Sequence, residues 1–442
     1  MIRSITDKQY LGVALPFMIS TMTQPLMGAV NTAMMGRFPD PAYISGVALG
    51  AVLFNTIYWF FGFLRVGTTG YAAQALGSGR AEDQWTSFGR PLVVALAASI
   101  VILVLQKPIV AAYISFIKPE PDVEALLRRY YSLLIWGTPA TLFNYVALGW
   151  LMGQARLRAS LFQQVSTNLL NILLCIIFVK YLNHDIGGVA AASLISLFYG
   201  SLISIWLMKI YGGFKISDIS TRLLFHFRSL TEMMSTNGNL MFRTACLLMV
   251  NNLFAEASSS FGKEILAANA VLLQIISIMS YLIDGMANAN SLFSGRAVGR
   301  ADQALFEETR RMCFKWLTVL AFILFALYWA GRGCFINIFT DNESILLLAG
   351  NFDFYILLYP FCAGIGISMY GMYTGATATA PIRDMMLIAM LIFTAARAVL
   401  IPLYGNDGLW TAYLMFYASQ SAVILLFYPR LRKKTGFLKP VF

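Results

Sequence analysis

Apolar runs of roughly the 20 residues that a membrane-spanning helix requires recur along this entire chain. They lie near 10–36, 44–76, 88–115, 126–152, 160–181, 187–210, 229–258, 266–295, 313–338, 346–378, 384–404 and 408–429, twelve in all. With 58% hydrophobic and only 12% charged residues and a mean hydropathy of +0.68, the chain lies outside what a soluble domain of 442 residues could keep in solution. The expected fold class is therefore all-α and integral to a membrane. Several runs exceed the bilayer thickness and should tilt or bend.

The twelve runs fall into two sets of six. Gln74–Asp83 (QALGSGRAED) finds a cousin in Arg296–Asp302 (RAVGRAD), with Gly77 matching Gly299. The same offset of 222 residues pairs Gly149 with Gly371 and Gly153 with Gly375, both in Gly-x-x-x-Gly spacing. Paired halves in a membrane chain usually enclose a midplane site and work by rocking against each other, the organisation of a transporter. The expected domains are an N-terminal six-helix lobe, 1–210, a linker, 211–228, and a C-terminal six-helix lobe, 229–442. Within the linker, Ile216–Phe227 mixes apolar and basic residues and predicts a short helix lying on the membrane surface.

Placing the N-terminus in the cytoplasm puts 21 Lys and Arg residues on the inner side and 8 on the outer, leaving Arg65, Arg243 and Arg397 within helices. The positive-inside rule then predicts a multi-pass protein of the cytoplasmic (inner) membrane with both termini inside. The net charge of +11 is the sum of these anchors, helped by attraction to anionic membrane lipid, and needs no nucleic acid. The five cysteines stand singly in or beside apolar helices, without metal-ligand spacing. No metal, cofactor or catalytic constellation is implied: there is no Walker loop, His-Glu-x-x-His or nucleophile elbow, so an enzyme is not expected. Nothing demands more than a monomer.

Chemistry at membrane depth must come from the polar residues left there. The first span holds Gln24 and Asn31 around Pro25, the second Asn55 and Arg65, and the fourth Asn144. In the fifth, Gln164, Asn168 and Asn171 share one helical face, which Cys175 continues. The seventh holds Arg243 and the eighth Asp284 and Asn288. Any one Asn or Gln has an ordinary role bonding a neighbouring helix, worth about 0.6–2 kcal/mol; a stripe of them facing one way favours a cavity. Arg397 reads as structural, and Glu256 and Asp353 as interfacial.

Asp284 stands apart. About 20 Å of helix separates it from the inner surface, and an ionised carboxylate at that depth must be paired, hydrated or protonated. Arg243 lies at similar depth in the preceding span. The two form either a permanent ion pair locking two helices or a switchable carboxylate neutralised by Arg243 or by a proton.

Ala14–Gly36 (ALPFMISTMTQPLMGAVNTAMMG), Phe63–Gly77 (FLRVGTTGYAAQALG) and Asp284–Gly299 (DGMANANSLFSGRAVG) together resemble the multidrug and toxin extrusion (MATE) transporters, most nearly their DinF-like branch. The resemblance covers essentially the whole chain. It implies twelve helices in two pseudo-symmetric lobes, an inter-lobe cavity, and export of cationic or amphipathic compounds in exchange for protons or sodium ions. The departures bear on coupling. The family's first-helix aspartate is Asn31 here, within AVNTA; the fifth helix keeps an asparagine, Asn171, but has Cys175 in place of the acid four residues on. Ser193 stands as the sixth-helix hydroxyl. In the eighth helix Asp284 is kept, and Ser291 replaces the glutamate.

Asparagine cannot bind or release a proton near neutral pH, and a site of Asn31, Asn171, Cys175 and Ser193 lacks the charge that a hard cation prefers. A proton is therefore expected over sodium as coupling ion, acting through Asp284 with Arg243. The expected function is a secondary exporter (antiporter) of small amphipathic or drug-like molecules working by alternating access. Its cavity would draw on Gln24, Asn31, Asn55, Arg65, Asn144, Gln164, Asn168, Asn171, Cys175, Ser193 and Asn288. The alternatives are a flippase for a lipid-linked or amphipathic anionic metabolite, which a basic, acid-poor cavity would suit, and a degenerate transporter serving as scaffold or sensor.

Overall fold

The structure, a computed structural model, describes residues 5–35, 41–182, 185–212, 227–339 and 343–436; within these, the side chains of residues 23–42 and a few others lie outside the description, save that of Tyr43 beyond them. The described chain is helical, without a strand. In order the helices are α1 (Asp7–Met35), α2 (Pro41–Phe60), α3 (Phe63–Ser78), α4 (Ala81–Val104), α5 (Gln106–Ile117), α6 (Pro121–Leu134), α7 (Thr138–Gly153), α8 (Leu157–Ile176) and α9 (Ile186–Gly212). Then follow α10 (Phe227–Ser260), α11 (Lys263–Gly299), α12 (Gln303–Asn337), α13 (Glu343–Asn351), α14 (Asp353–Gly375), α15 (Ala380–Tyr404), α16 (Asn406–Leu426) and α17 (Tyr428–Lys434). Among the described residues, nine stretches are long and apolar enough to cross a membrane. α1, the α6–α7 pair and α10 stand where the other three spans are expected. Most of the linker, including all of the expected surface helix at 216–227 except Phe227, lies outside the described residues.

The 222-residue repeat is visible in the backbone. α3 packs on α7, and at the equivalent place α11 packs on α14. A Cβ at Gly149 would strike the Arg65 carbonyl and one at Gly153 the Thr69 carbonyl; at Gly371 and Gly375 it would strike the carbonyls of Ala287 and Ser291. All four contacts obey the same offset, because only glycine lets two helix backbones approach so closely. The helix ends repeat as well. Ala155 and Thr377 take left-handed φ values of 57° and 52°, and Gly79 and Ala301 of 70° and 54°. The closing hydrogen bonds match, with the Arg156 amide donating to Leu151 O (2.9 Å) and the Ala378 amide to Tyr373 O (2.8 Å).

One difference matters for chemistry. The second span breaks into α2 and α3 at residues 61–62, whereas α11 runs unbroken through the equivalent positions. Gly62 therefore occupies the place that Asp284 takes in the other half. A break between helices in one half answers to a carboxylate inside a continuous helix in the other.

By packing, the chain divides into a unit of Thr23–Glu232 and a unit of Met1–Met22 with Met233–Phe442, below called the N-terminal and C-terminal units. The boundary between the two units falls inside α1, and residues 5–22, expected with 1–210, are grouped by packing with the C-terminal unit. Specific bonds explain it. Tyr10 donates its hydroxyl hydrogen to Asn290 Oδ1 (2.7 Å), and Asp7 accepts from Lys315 Nζ (2.7 and 2.8 Å) and Trp316 Nε1 (2.9 Å). Thr21 donates to Tyr281 O (2.6 Å), and Gly285 leaves room for the α1 backbone at Met18. Asn290 is fully buried and donates onward to Ser368 O (3.1 Å), Ser368 Oγ (3.2 Å) and Cys313 Sγ (3.1 Å). One asparagine thus ties α1, α11, α12 and α14 together.

Candidate functional site

In the N-terminal unit the structure brings together three residues that the sequence placed in one set. Asn171 and Cys175 sit one turn apart on α8, and Asn171 Nδ2 donates to Ser193 Oγ on α9 at 3.1 Å. The Cys175 thiol lies 3.9 Å from Asn171 Oδ1. Gln164 is buried on the same helix, and Asn168 half-buried. This cluster is polar but holds no carboxylate, so it can donate and accept hydrogen bonds without changing charge near neutrality. Asn144 is used differently: its Nδ2 donates to Leu197 O (3.0 Å) and its Oδ1 accepts from Ser201 Oγ (3.2 Å), which fastens α7 to α9. Asn55 is exposed on α2 and Arg65 half-buried on α3. Gln24 and Asn31 belong to α1, but their side chains lie outside the described residues.

The C-terminal unit carries the ionisable pair. Asp284 is half-buried near the middle of α11, and Asn288 follows one turn later, also half-buried. Arg243 on α10 makes no ion pair among the described residues. Its guanidinium lies over the Tyr370 ring, 4.1 Å from the centroid, and its buried Nε has no hydrogen-bond partner. Arg243 is thus held against an aromatic face. A guanidinium stacked on an aromatic face is stabilised by the ring quadrupole and keeps its N–H edge available for an acceptor.

Around these two charges is a group of tyrosines that sequence reasoning passed over. Tyr359 and Tyr417 meet edge to face at 4.9 Å, and Tyr413 and Tyr417 at 5.2 Å. The Tyr359 hydroxyl lies 2.6 Å from Ser280 Oγ. Tyr413 stands 3.4 Å from the Tyr417 hydroxyl and donates to Asn251 Oδ1 at 3.4 Å. The charges of Arg243 and Asp284 both bear on Tyr417, and that of Asp284 also on Tyr359. A signal existed: Trp410, Tyr413 and Tyr417 recur at i, i+3, i+7 and so share one face of α16. In a chain with 14% aromatic residues, such a stripe is easily read as ordinary core.

The remaining mid-span charge is structural. Arg397 pairs with Glu256 at 3.0 Å and donates to Leu253 O at 2.9 Å, anchoring α15 to α10. Near it, Asn269 donates to Ser258 Oγ (2.9 Å) and Asn406 Oδ1 (2.8 Å) and accepts from Asn406 Nδ2 (3.0 Å) and Trp410 Nε1 (2.8 Å). Every hydrogen-bonding position of that buried amide is occupied.

Comparison with known proteins places this geometry. The family model described as MatE matches residues 16–177 and again 240–400, one match in each half of the repeat. The chain is 30% identical over 421 residues to the DNA damage-inducible protein F of Escherichia coli (strain K12), covering 93% of this chain and 90% of that one. It is 23% identical over 380 residues to the probable multidrug resistance protein NorM of Photorhabdus laumondii, covering 83% and 82%. Among solved structures, an outward-facing multidrug resistance MATE family transporter of the MOP superfamily superposes with a TM-score of 0.86 at 18% identity, covering 97% of this chain and 96% of that one.

Proposed function

The chain belongs to the MatE family of multi-span membrane transporters, and we propose that it exports small amphipathic, drug-like molecules across the cytoplasmic membrane, with both termini inside, in exchange for protons that act through Asp284. One observation carries the assignment of the coupling group. Asp284 is a half-buried carboxylate at mid-span, whereas the Asn171–Cys175–Ser193 set contains no carboxylate. A carboxylate at that depth is costly unless it is paired, hydrated or protonated, so taking up a proton relieves a penalty that its ionised form carries. A balance between two such states is what a gradient can tip. Transport then proceeds by alternating access as the two lobes rock.

The relatives include proteins named for multidrug resistance, which supports drug-like cargo. A second reading, an anionic amphipathic cargo such as a lipid-linked metabolite, draws on Arg243, whose guanidinium makes no ion pair among the described residues. Reconstitution in proteoliposomes under separately imposed proton and sodium gradients tests both, with Asp284→Asn beside wild type and with cationic and anionic fluorescent amphiphiles as cargo. Asp284→Asn is expected to lose proton-driven export while keeping its fold. If it retains the full rate, Asp284 is structural and the coupling assignment fails. Export of the anionic probe alone favours the second reading.

A further inference from the structure

The geometry points to a binding site for the phosphate headgroup of an anionic membrane lipid where α17 meets the start of α12. α16, one of the stretches apolar enough to cross a membrane, ends at Leu426, and Phe427 is the only residue between it and α17. The charges of α17 (YPRLRKK) are thus held within a turn or two of the bilayer boundary. The helix is fixed there: Leu431 is fully buried, and the Tyr428 hydroxyl donates to Glu307 Oε1 at 3.0 Å. Burial raises the Tyr428 phenol above its usual range, so it remains a neutral donor.

Glu307 organises two arginines from different helices. Arg310 Nε donates to its Oε2 at 3.0 Å, and Arg432 Nε lies 3.3 Å from its Oε1. Arg310 also lies over the Tyr428 ring, 5.2 Å from its centroid. One carboxylate faces two guanidiniums, so the cluster keeps a net positive charge while both arginines are pre-positioned. Arg310 hydrogen-bonds Glu307 through Nε, while Arg432 Nε is only charge-paired with it and has no hydrogen-bond partner, so the terminal N–H groups of both remain suited to a planar fork on phosphate oxygens. Arg430, stacked on Phe427 at 4.3 Å, and the exposed Lys433 add charge.

A free phosphate ion offers the same headgroup chemistry, but the setting favours a lipid. Leu425 and Leu426 are exposed at the end of α16, immediately before the basic turn, where acyl chains would lie. A basic cluster at the end of a span attracts anionic headgroups with about 1 kcal/mol per residue, or about fivefold in affinity. This site is independent of the cargo and the coupling ion, and of which face of the membrane α17 occupies.

The test is native mass spectrometry of the purified full-length protein exposed to equal amounts of phosphatidylglycerol and phosphatidylcholine, with inorganic phosphate in large molar excess as a separate arm. Wild type is expected to retain phosphatidylglycerol preferentially, and phosphate should not displace it. Arg310→Gln/Arg432→Gln should weaken that retention about thirtyfold, with phosphatidylcholine unchanged. Arg430→Gln/Lys433→Gln, which leaves Glu307 and its partners untouched, should weaken it by a comparable factor and decides the matter if the first double variant fails to fold. Undiminished preference for phosphatidylglycerol in a folded double variant overturns the proposal. So does displacement by phosphate alone, which would make this a free-anion site.

Discussion

Gly371→Ala tests whether the repeat is a packing device. A Cβ at Gly371 would overlap the Ala287 carbonyl oxygen and stand 2.6 Å from its carbon and 2.8 Å from the Ala287 Cα. All three are backbone atoms of α11, so no side chain can swing aside, and α14 must move away by roughly an ångström to restore van der Waals contact near 3.5 Å. That displacement stretches the bonds from Asn290 to Ser368 (3.1 and 3.2 Å) and from Ser294 to Met372 O (3.3 Å). Overpacking alone costs about 1–3 kcal/mol, and each interhelical hydrogen bond lost adds about 0.6 kcal/mol. The sum is about 3–5 kcal/mol, a loss of stability on the order of a hundredfold to several thousandfold. Gly364→Ala is the internal control on the same helix: its Cβ would meet only the flexible end of Leu317, 2.9 Å from Cδ1, which can rotate. Thermal unfolding followed by fluorescence-detected size exclusion in one detergent compares the two. Gly371→Ala should unfold well below wild type and Gly364→Ala close to it. Equal midpoints for the two variants would refute the reasoning.

Other outcomes follow from single groups. Tyr10→Phe leaves the buried Asn290 Oδ1 without its donor, which should cost about 1–3 kcal/mol and make the segment before Met22 more susceptible to limited proteolysis; unchanged cleavage would show that Tyr10 does not hold α1 to its unit. Asn269→Leu strands the Trp410 indole N–H and Asn406 together, and should destabilise by at least about 2 kcal/mol while altering tryptophan emission. The hydrogen bond from Lys315 holds the Asp7 carboxyl below its usual 3.8. Because the folded value is the lower one, the tether is fully present above that ordinary value and is lost as pH falls through the depressed one; Asp7→Asn should abolish this acid-dependent release in a proteolysis series. Ala301→Gly places a residue free of the left-handed penalty at φ 54° and should raise thermal stability by about 1 kcal/mol; a lowered midpoint would contradict the strain assigned to that turn.

The spans were legible because the bilayer imposes a length and an apolar composition on each, and a 222-residue offset survives wherever backbone must touch backbone. Gly149 and Gly371 could be matched without coordinates for that reason. The polar residues were harder to place. Asn144 and Asn171 look alike in sequence, yet one fastens α7 to α9 through Leu197 O and the other meets Ser193 and Cys175. Only the rotation of each helix separates those roles. Arg243 was matched to Asp284 by depth, a one-dimensional quantity; its stacking on Tyr370 depends on a helix more than a hundred residues further along. The division of α1 between two units was invisible because Tyr10 and Asn290 are 280 residues apart.

The two halves share their backbone and have parted in their chemistry. Where glycine meets carbonyl, or a chain turns through left-handed φ, any substitution has an immediate steric cost, so the offset is obeyed at those points. Side chains facing away from such contacts carry no such constraint. At one position the repeat holds Gly62, in a break between helices, and Asp284, inside an unbroken one. Inside a continuous helix the backbone N–H donors are already used by the helix itself. Asp284 must therefore take its stabilisation from side chains or from a proton. The proposed proton coupling rests on that carboxylate, a feature of one half that the shared backbone does not dictate.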